Sequence, residues 1–137
     1  MSLSSLLNTT LEPPNTGVQV LLIDDERINL VVAQSMLNKA GIDCRCINDP
    51  LEAPAIITTD SYHAVITDIN MPGLDGFDIA KLVFQHHGTS IPVAASTGDL
   101  SIRQACQEAG ISACFGKPLN INEILEWLQQ QALLPTS

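Results

Sequence analysis

Ile66-Thr67-Asp68-Ile69-Asn70-Met71-Pro72-Gly73-Leu74-Asp75-Gly76 carries a carboxylate off the end of a short apolar run and into a loop rich in turn residues. In a sheet of parallel strands, ligands bind in the crevice outside the carboxyl ends of the strands. Two other stretches end the same way. Asp24-Asp25 closes the apolar run from Val18 to Ile23, and Lys117-Pro118 follows the run from Ala113 to Phe115. Three carboxylates and one ammonium, each at a strand end, suit a divalent metal and a phosphoryl group.

The rest of the chain alternates strand and helix patterns. Val18 to Ile23 is an apolar run broken only by Gln19, the mark of a strand buried on both faces, and Ala64 to Thr67, Val93 to Ser96 and Ala113 to Phe115 are shorter versions. Ile42 to Ile47 differs, because Asp43 and Arg45 alternate with apolar residues as on an edge strand with one wet face. Leu30, Ala33, Leu37 and Ala40 recur at helical spacing, and Gly41 is placed to end that helix. Asp49-Pro50-Leu51-Glu52 offers an N-cap, a proline at the first helical position and a glutamate that can reach back. Asn120 with Glu123, and Ser101 with Gln104, repeat the cap pattern before the apolar sets Ile121, Ile124, Leu125, Leu128 and Ile102, Ala105, Ala109. Five strand and helix units with short loops predict an α/β fold, a doubly wound parallel sheet with right-handed crossovers and helices on both faces.

Composition excludes several classes. The 137 residues, 45% hydrophobic and 15% charged, make about one globular domain. A net charge of −9 with six Lys and Arg argues against direct contact with nucleic acid or an anionic membrane, since phosphate contacts need clustered cations. No basic n-region opens the chain and no apolar run approaches the ~20 residues that span a bilayer, so a cytoplasmic location is expected. Cys44, Cys46, Cys106 and Cys114 are then reduced. The last two lack the spacing of a zinc knuckle, so small apolar packing is the expected role of all four.

Each motif alone is weak. An acidic pair after an apolar run is by itself more often a helix N-cap than a metal site, and Met71-Pro72-Gly73 and Asp75-Gly76 are by themselves turn chemistry. His63, His86 and His87 read as ordinary, with His86-His87 placed to complement a helix end. Their co-occurrence in chain order carries the argument. From about Gly17 to Leu134 the chain resembles a receiver domain of the two-component response-regulator family, free-standing or excised from a hybrid histidine kinase. Residues 1–16 are expected to be a flexible leader or linker and residues 17–137 the receiver domain.

The resemblance implies a flavodoxin-like five-stranded sheet of order 2-1-3-4-5 and a set of roles. Asp68 becomes the phosphorylation site and nucleophile, Lys117 the fixed cation and Thr97 a hydroxyl donor. Ser96 is the neighbouring alternative to Thr97, but strand alternation and the family pattern favour Thr97. Mg²⁺ is the implied cofactor, with Asp25 and Asp68 as direct ligands, Asn70 adding its backbone carbonyl and Asp24 acting through water. A cis peptide is implied before Pro118. The implied function is a switch that takes a phosphoryl group from the phosphohistidine of a histidine kinase or phosphotransfer protein and alters a partner-binding surface. Such a protein is not an enzyme with an external substrate; it catalyses only its own phosphoryl transfer and dephosphorylation. The alternative is a receiver-fold interaction module that is never phosphorylated. A haloacid-dehalogenase-like phosphatase would carry a second acid two residues after the nucleophile, where this chain has Asn70.

One position departs from the family pattern. The aromatic usually found three residues before the lysine is Cys114 here, with Phe115 one residue later, and a one-residue step on a strand reverses the face. Phe115 is therefore expected in the core. Trp127 lies beside the apolar stripe of the last helix and is either packing or a docking group.

Overall fold

The computed structural model describes residues 15–136; the expectation of a flexible leader falls mainly on residues outside that range. Five parallel strands, β1 (Gln19–Ile23), β2 (Asp43–Ile47), β3 (Ala64–Asp68), β4 (Val93–Thr97) and β5 (Ala113–Gly116), form one sheet of order β2-β1-β3-β4-β5. Five α-helices connect and follow them: α1 (Arg27–Lys39), α2 (Ala53–Thr59), α3 (Gly76–His87), α4 (Arg103–Glu108) and α5 (Ile121–Gln130). Short 3₁₀ turns at Pro50–Glu52 and Leu100–Ile102 lead into α2 and α4.

Strand alternation sorts the core into two layers. Leu21, Ile23, Val65, Val93 and Ala95 pack with Ile57, Ile79 and Val83 of α2 and α3, whereas Val20, Leu22, Ile66 and Ala94 pack with Leu30, Leu37, Ile124 and Leu128 of α1 and α5. The central β1, β3 and β4 are therefore apolar on both faces, as expected. β5 is not: it closes the other edge of the sheet, and only Phe115 of its four residues is fully buried. Three apolar letters in a row did not distinguish an edge strand from a central one.

Helix ends explain how each helix feeds the next segment. α1, α4 and α5 all terminate in the same backbone arrangement. The N–H groups of Ile42, Ile111 and Leu133 bond back to the carbonyls of Leu37, Cys106 and Leu128, while Gly41, Gly110 and Ala132 take the left-handed conformation between. Each motif turns an apolar residue straight back into the core. Two of the three turning residues are glycines; the third, Ala132 at φ 60, carries a Cβ in a region that disfavours one. Ala132→Gly should raise unfolding stability by about 1 kcal/mol, read as a higher midpoint in urea at unchanged slope.

Several cap expectations are corrected. Asp49 and Asn120 cap as read, with side chains accepting from Leu51 N and from Asn122 and Glu123 N. The segment before α4 is capped by Asp99, whose carboxylate accepts from Ser101 N; Ser101 itself lies inside the 3₁₀ turn. Its apolar face is also different, because Cys106 and Ile102 turn inward while Ala105 and Ala109 are exposed. On α5, Ile124 and Leu128 are buried and Ile121 and Leu125 half-buried. Trp127 is core: it is 2% exposed, donates its indole N–H to Ser112 Oγ at 2.9 Å and meets Phe115 edge to face at 5.9 Å. The docking role considered for Trp127 is thereby excluded. Thr16 bonds Gly41 O through both its N–H and its hydroxyl, so the last leader residues are tied to the fold.

Candidate functional site

The strand order reverses beside β1, where β2 lies to one side and β3 to the other, and the site forms at the carboxyl ends of these strands. Asp24 follows β1, Asp68 ends β3 and Lys117 follows β5. One carboxylate oxygen from each of Asp24, Asp25 and Asp68 lies within 4.8 Å of the others, with Asp24 and Asp68 buried and Asp25 nearer solvent. Among the described residues this is the only such cluster of three or more His, Cys, Asp or Glu side chains. Lys117 Nζ reaches Asp68 Oδ2 at 3.0 Å and Asp24 Oδ2 at 3.3 Å. Lys117 N donates to Thr97 O at 3.0 Å, which joins the β4 and β5 loops. The Lys117–Pro118 peptide is cis, as the resemblance implied.

The two buried acids are not equivalent. Asp24 Oδ1 accepts from Glu26 N at 2.8 Å, and its Oδ2 accepts from Asn29 Nδ2 at 3.2 Å as well as from Lys117. Its oxygens are committed to the turn into α1. The helical alternative for the acidic pair is thus partly right, since Asp24 orders the entry to α1 although Glu26 holds the cap position. Asp25 is bound mainly through its carbonyl, which accepts from Asn48 Nδ2 at 3.0 Å. Asp24→Ala should therefore cost about 1 kcal/mol of stability by removing a cap-type bond, while Asp25→Ala should leave the melting temperature nearly unchanged. Thermal unfolding of both variants without divalent metal checks the difference.

Electrostatics follow burial. Desolvation pushes the Asp68 carboxyl above the ordinary carboxylate range; the Lys117 hydrogen bond and charge pull it back, and the charge of Asp24 adds to the rise. Burial works against the Lys117 ammonium, yet its bonds to Asp68 and Asp24 hold it above the usual lysine value. Three acids and one ammonium leave the site short of positive charge. Hard carboxylate oxygens with that deficit fit a divalent cation such as Mg²⁺, which needs only one or two protein carboxylates and completes its shell with water and phosphate oxygens.

Thr97 is 1% exposed, and its hydroxyl accepts from Asp99 N at 3.0 Å and donates to Asp99 O at 3.2 Å. Ser96, on the other face of β4, lines a cleft of about 160 Å³ with Leu22, Asp24, Ala33, Lys117 and Pro118. Asn70 is exposed on the loop after β3. The site also contains residues the sequence reading missed. Asn48 holds the acidic pair through its main-chain carbonyls, and Asn29 holds Asp24 through its side chain. Asn48 was findable, because it follows the end of β2 and so falls on the same crevice as Asp24. Asn29 was not, because its reach depends on how α1 sits.

A model of the response regulator receiver domain matches residues 20–129. Sensor histidine kinase RcsC of Salmonella typhi is 29% identical over 131 residues, which is 93% of this chain and 14% of that protein. Sensory/regulatory protein RpfC of Xanthomonas campestris pv. campestris is 32% identical over 122 residues, 85% of this chain and 17% of that protein. The chain thus spans a small fraction of these relatives. Among solved structures, the receiver domain of sensor histidine kinase PA1611 from Pseudomonas aeruginosa PAO1, described with a magnesium ion coordinated in its active site cleft, superposes with a TM-score of 0.74 at 26% identity, covering 83% of this chain and 96% of that one. A CheY-like receiver domain protein from Methanospirillum hungatei JF-1 has the same fold, with a TM-score of 0.74 at 21% identity over 83% of this chain and 92% of that one.

Proposed function

The chain belongs to the receiver domain family of two-component response regulators, and from that premise we propose that it is a phosphorelay receiver in which Asp68 takes the phosphoryl group from a phosphohistidine. The observation that carries the proposal is the Lys117 ammonium, shared at 3.0 and 3.3 Å between the candidate nucleophile Asp68 and the neighbouring Asp24.

An Asp68 oxygen attacks phosphorus, an O–P bond forms, and the bond from phosphorus to the donor imidazole breaks, leaving the histidine neutral once protonated. Lys117 holds Asp68 in place beforehand and moves its ammonium onto a phosphoryl oxygen afterwards. The Thr97 hydroxyl gives up the Asp99 carbonyl and donates to another phosphoryl oxygen. Asp25 and Asp68, with the Asn70 carbonyl and with Asp24 through water, would hold Mg²⁺, which supplies charge neutralisation between carboxylate and phosphate. The chain in this reading turns over no external substrate. It accepts and loses its own phosphoryl group, with a histidine kinase or histidine phosphotransfer protein as donor. No helix of the described residues is long and apolar enough to cross a membrane.

Family receivers couple phosphorylation to rotation of an aromatic on the last strand. Here Cys114 faces Cys106 and the α3–α4 layer, while Phe115 is buried on the other face against Trp127. Phosphorylation is therefore read out through Thr97 and its loop. Incubation with acetyl phosphate should add one phosphoryl group by intact mass, only when Mg²⁺ is present. No added mass under any divalent cation would overturn the proposal in favour of a receiver-fold interaction module that is never phosphorylated.

A further inference from the structure

The edge strand β2 carries a thiol pair that the phosphoryl site does not use. Cys44 and Cys46 are two apart on an extended strand, so both side chains leave the same face, and both pack against the apolar cluster under α1. Gln34 of α1 donates to Cys44 O at 3.0 Å and fixes the helix over this part of the strand. The two Sγ atoms are 3.9 Å apart, and both residues are half-buried rather than sealed. We propose that Cys44 and Cys46 form a chelating site for a soft monovalent metal ion, Cu(I), held between the two sulfurs.

The separation fits an inserted ion better than a disulfide. Same-face neighbours on a strand have Cα atoms about 6.6 Å apart, at the upper end of the range disulfides tolerate. Closing the sulfurs to a bonding distance of about 2.05 Å would buckle a strand paired along its whole length with β1. Two metal–thiolate bonds of about 2.3 Å set nearly in line, as around a two-coordinate ion, span about 4.6 Å, so from 3.9 Å the sulfurs need open by only about 0.7 Å rather than close by nearly 2 Å. Thiolates select soft ions. A structural zinc ion takes four ligands, and the acidic trio is the only cluster of three or more candidate ligands among the described residues, so an ion content with two sulfurs fits and zinc does not.

The hydrogen bond between the two sulfurs lowers the Cys46 thiol and, together with burial, raises that of Cys44, so Cys46 is the first of the pair to deprotonate. On binding, two sulfur–metal bonds form and the thiol protons leave to solvent, with no change in oxidation state. The other cysteines offer no equal site. Cys106 is 1% exposed and sealed in the core, whereas Cys44 and Cys46 are both half-buried.

The test titrates the reduced, anaerobic chain with Cu(I) against a chromogenic copper chelator. One equivalent should bind to the wild type and to a Cys106→Ser/Cys114→Ser variant, and binding should weaken at least about tenfold in Cys44→Ser and in Cys46→Ser. On the unmodified protein, bound Cu(I) should protect Cys44 and Cys46 from iodoacetamide while Cys106 and Cys114 keep their reactivity, read by peptide mass mapping. Equal protection of all four cysteines, or unchanged affinity in either single variant, would overturn the proposal.

Discussion

Asp68→Asn should take up no phosphoryl group from acetyl phosphate and Mg²⁺, and without Mg²⁺ it should melt at a higher temperature than the wild type. Both effects come from the same carboxylate. Asp68 is 5% exposed, and its burial beside Asp24 outweighs the help it gets from Lys117, so its carboxyl sits above the ordinary range. Asparagine keeps an oxygen to accept from Lys117 Nζ but carries no charge to desolvate and no nucleophile. Because the native pKa is raised, the folded state holds its proton more tightly than the unfolded chain. The Asp68 contribution to stability therefore falls as pH rises from the ordinary carboxylate pKa through the raised native one. The advantage of Asp68→Asn should accordingly be small in acid and grow toward neutrality. With saturating Mg²⁺ the order should narrow or reverse, since a cation that binds only the native wild type stabilises it by mass action. Label retained in Asp68→Asn, or a melting advantage that shrinks as pH rises, would contradict the assignment.

How much could be read from the sequence depended on whether a residue's role was set locally. Val18 to Ile23 announces a buried strand because both faces are apolar, and Gly41 announces a helix end because a left-handed turn favours a residue without Cβ. The acidic pair, Asp68 and Lys117 were findable for a similar reason: each sits just past a strand, and parallel strands bring those ends together. The misses share a different cause. Asp99 and Ser101 are both good capping residues, and only the path of the chain out of β4 decides that Asp99 is the one that caps. Trp127 looked marginal on a helical wheel because the wheel ignores Ser112, whose hydroxyl gives the indole N–H a buried partner. The edge position of β5 followed from the strand order the resemblance implied and not from its own apolar letters, and the reach of Asn29 to Asp24 belongs to tertiary packing that no local pattern encodes.

Gly76→Ala should destabilise the protein more than any other single-methyl addition considered, by about 3 kcal/mol. The reason is contact rather than conformation, since Gly76 does not adopt a positive φ. A Cβ there would lie 2.6 Å from Asp68 O, 2.6 Å from Ile69 Cδ1 and 2.9 Å from Ile69 Cα. Two of these three atoms are backbone and cannot rotate away. Gly76 N also donates to Ile69 O at 2.9 Å, so the first turn of α3 is held against the end of β3. Relief would have to come from moving α3, which would break the reciprocal bonds of Asp75 and Asp78 at its start, or from moving Asp68 itself. The second route links the fold to the chemistry: the variant should also be phosphorylated more slowly than the wild type at temperatures where both are folded. Gly98 provides the contrast, because an added Cβ meets nothing within 4 Å, and Gly98→Ala should melt within a degree or two of the wild type on this reasoning. Equal melting temperatures for Gly76→Ala and Gly98→Ala would show that α3 and β3 can separate without cost, and that Asp68 is not positioned by the close approach of Gly76.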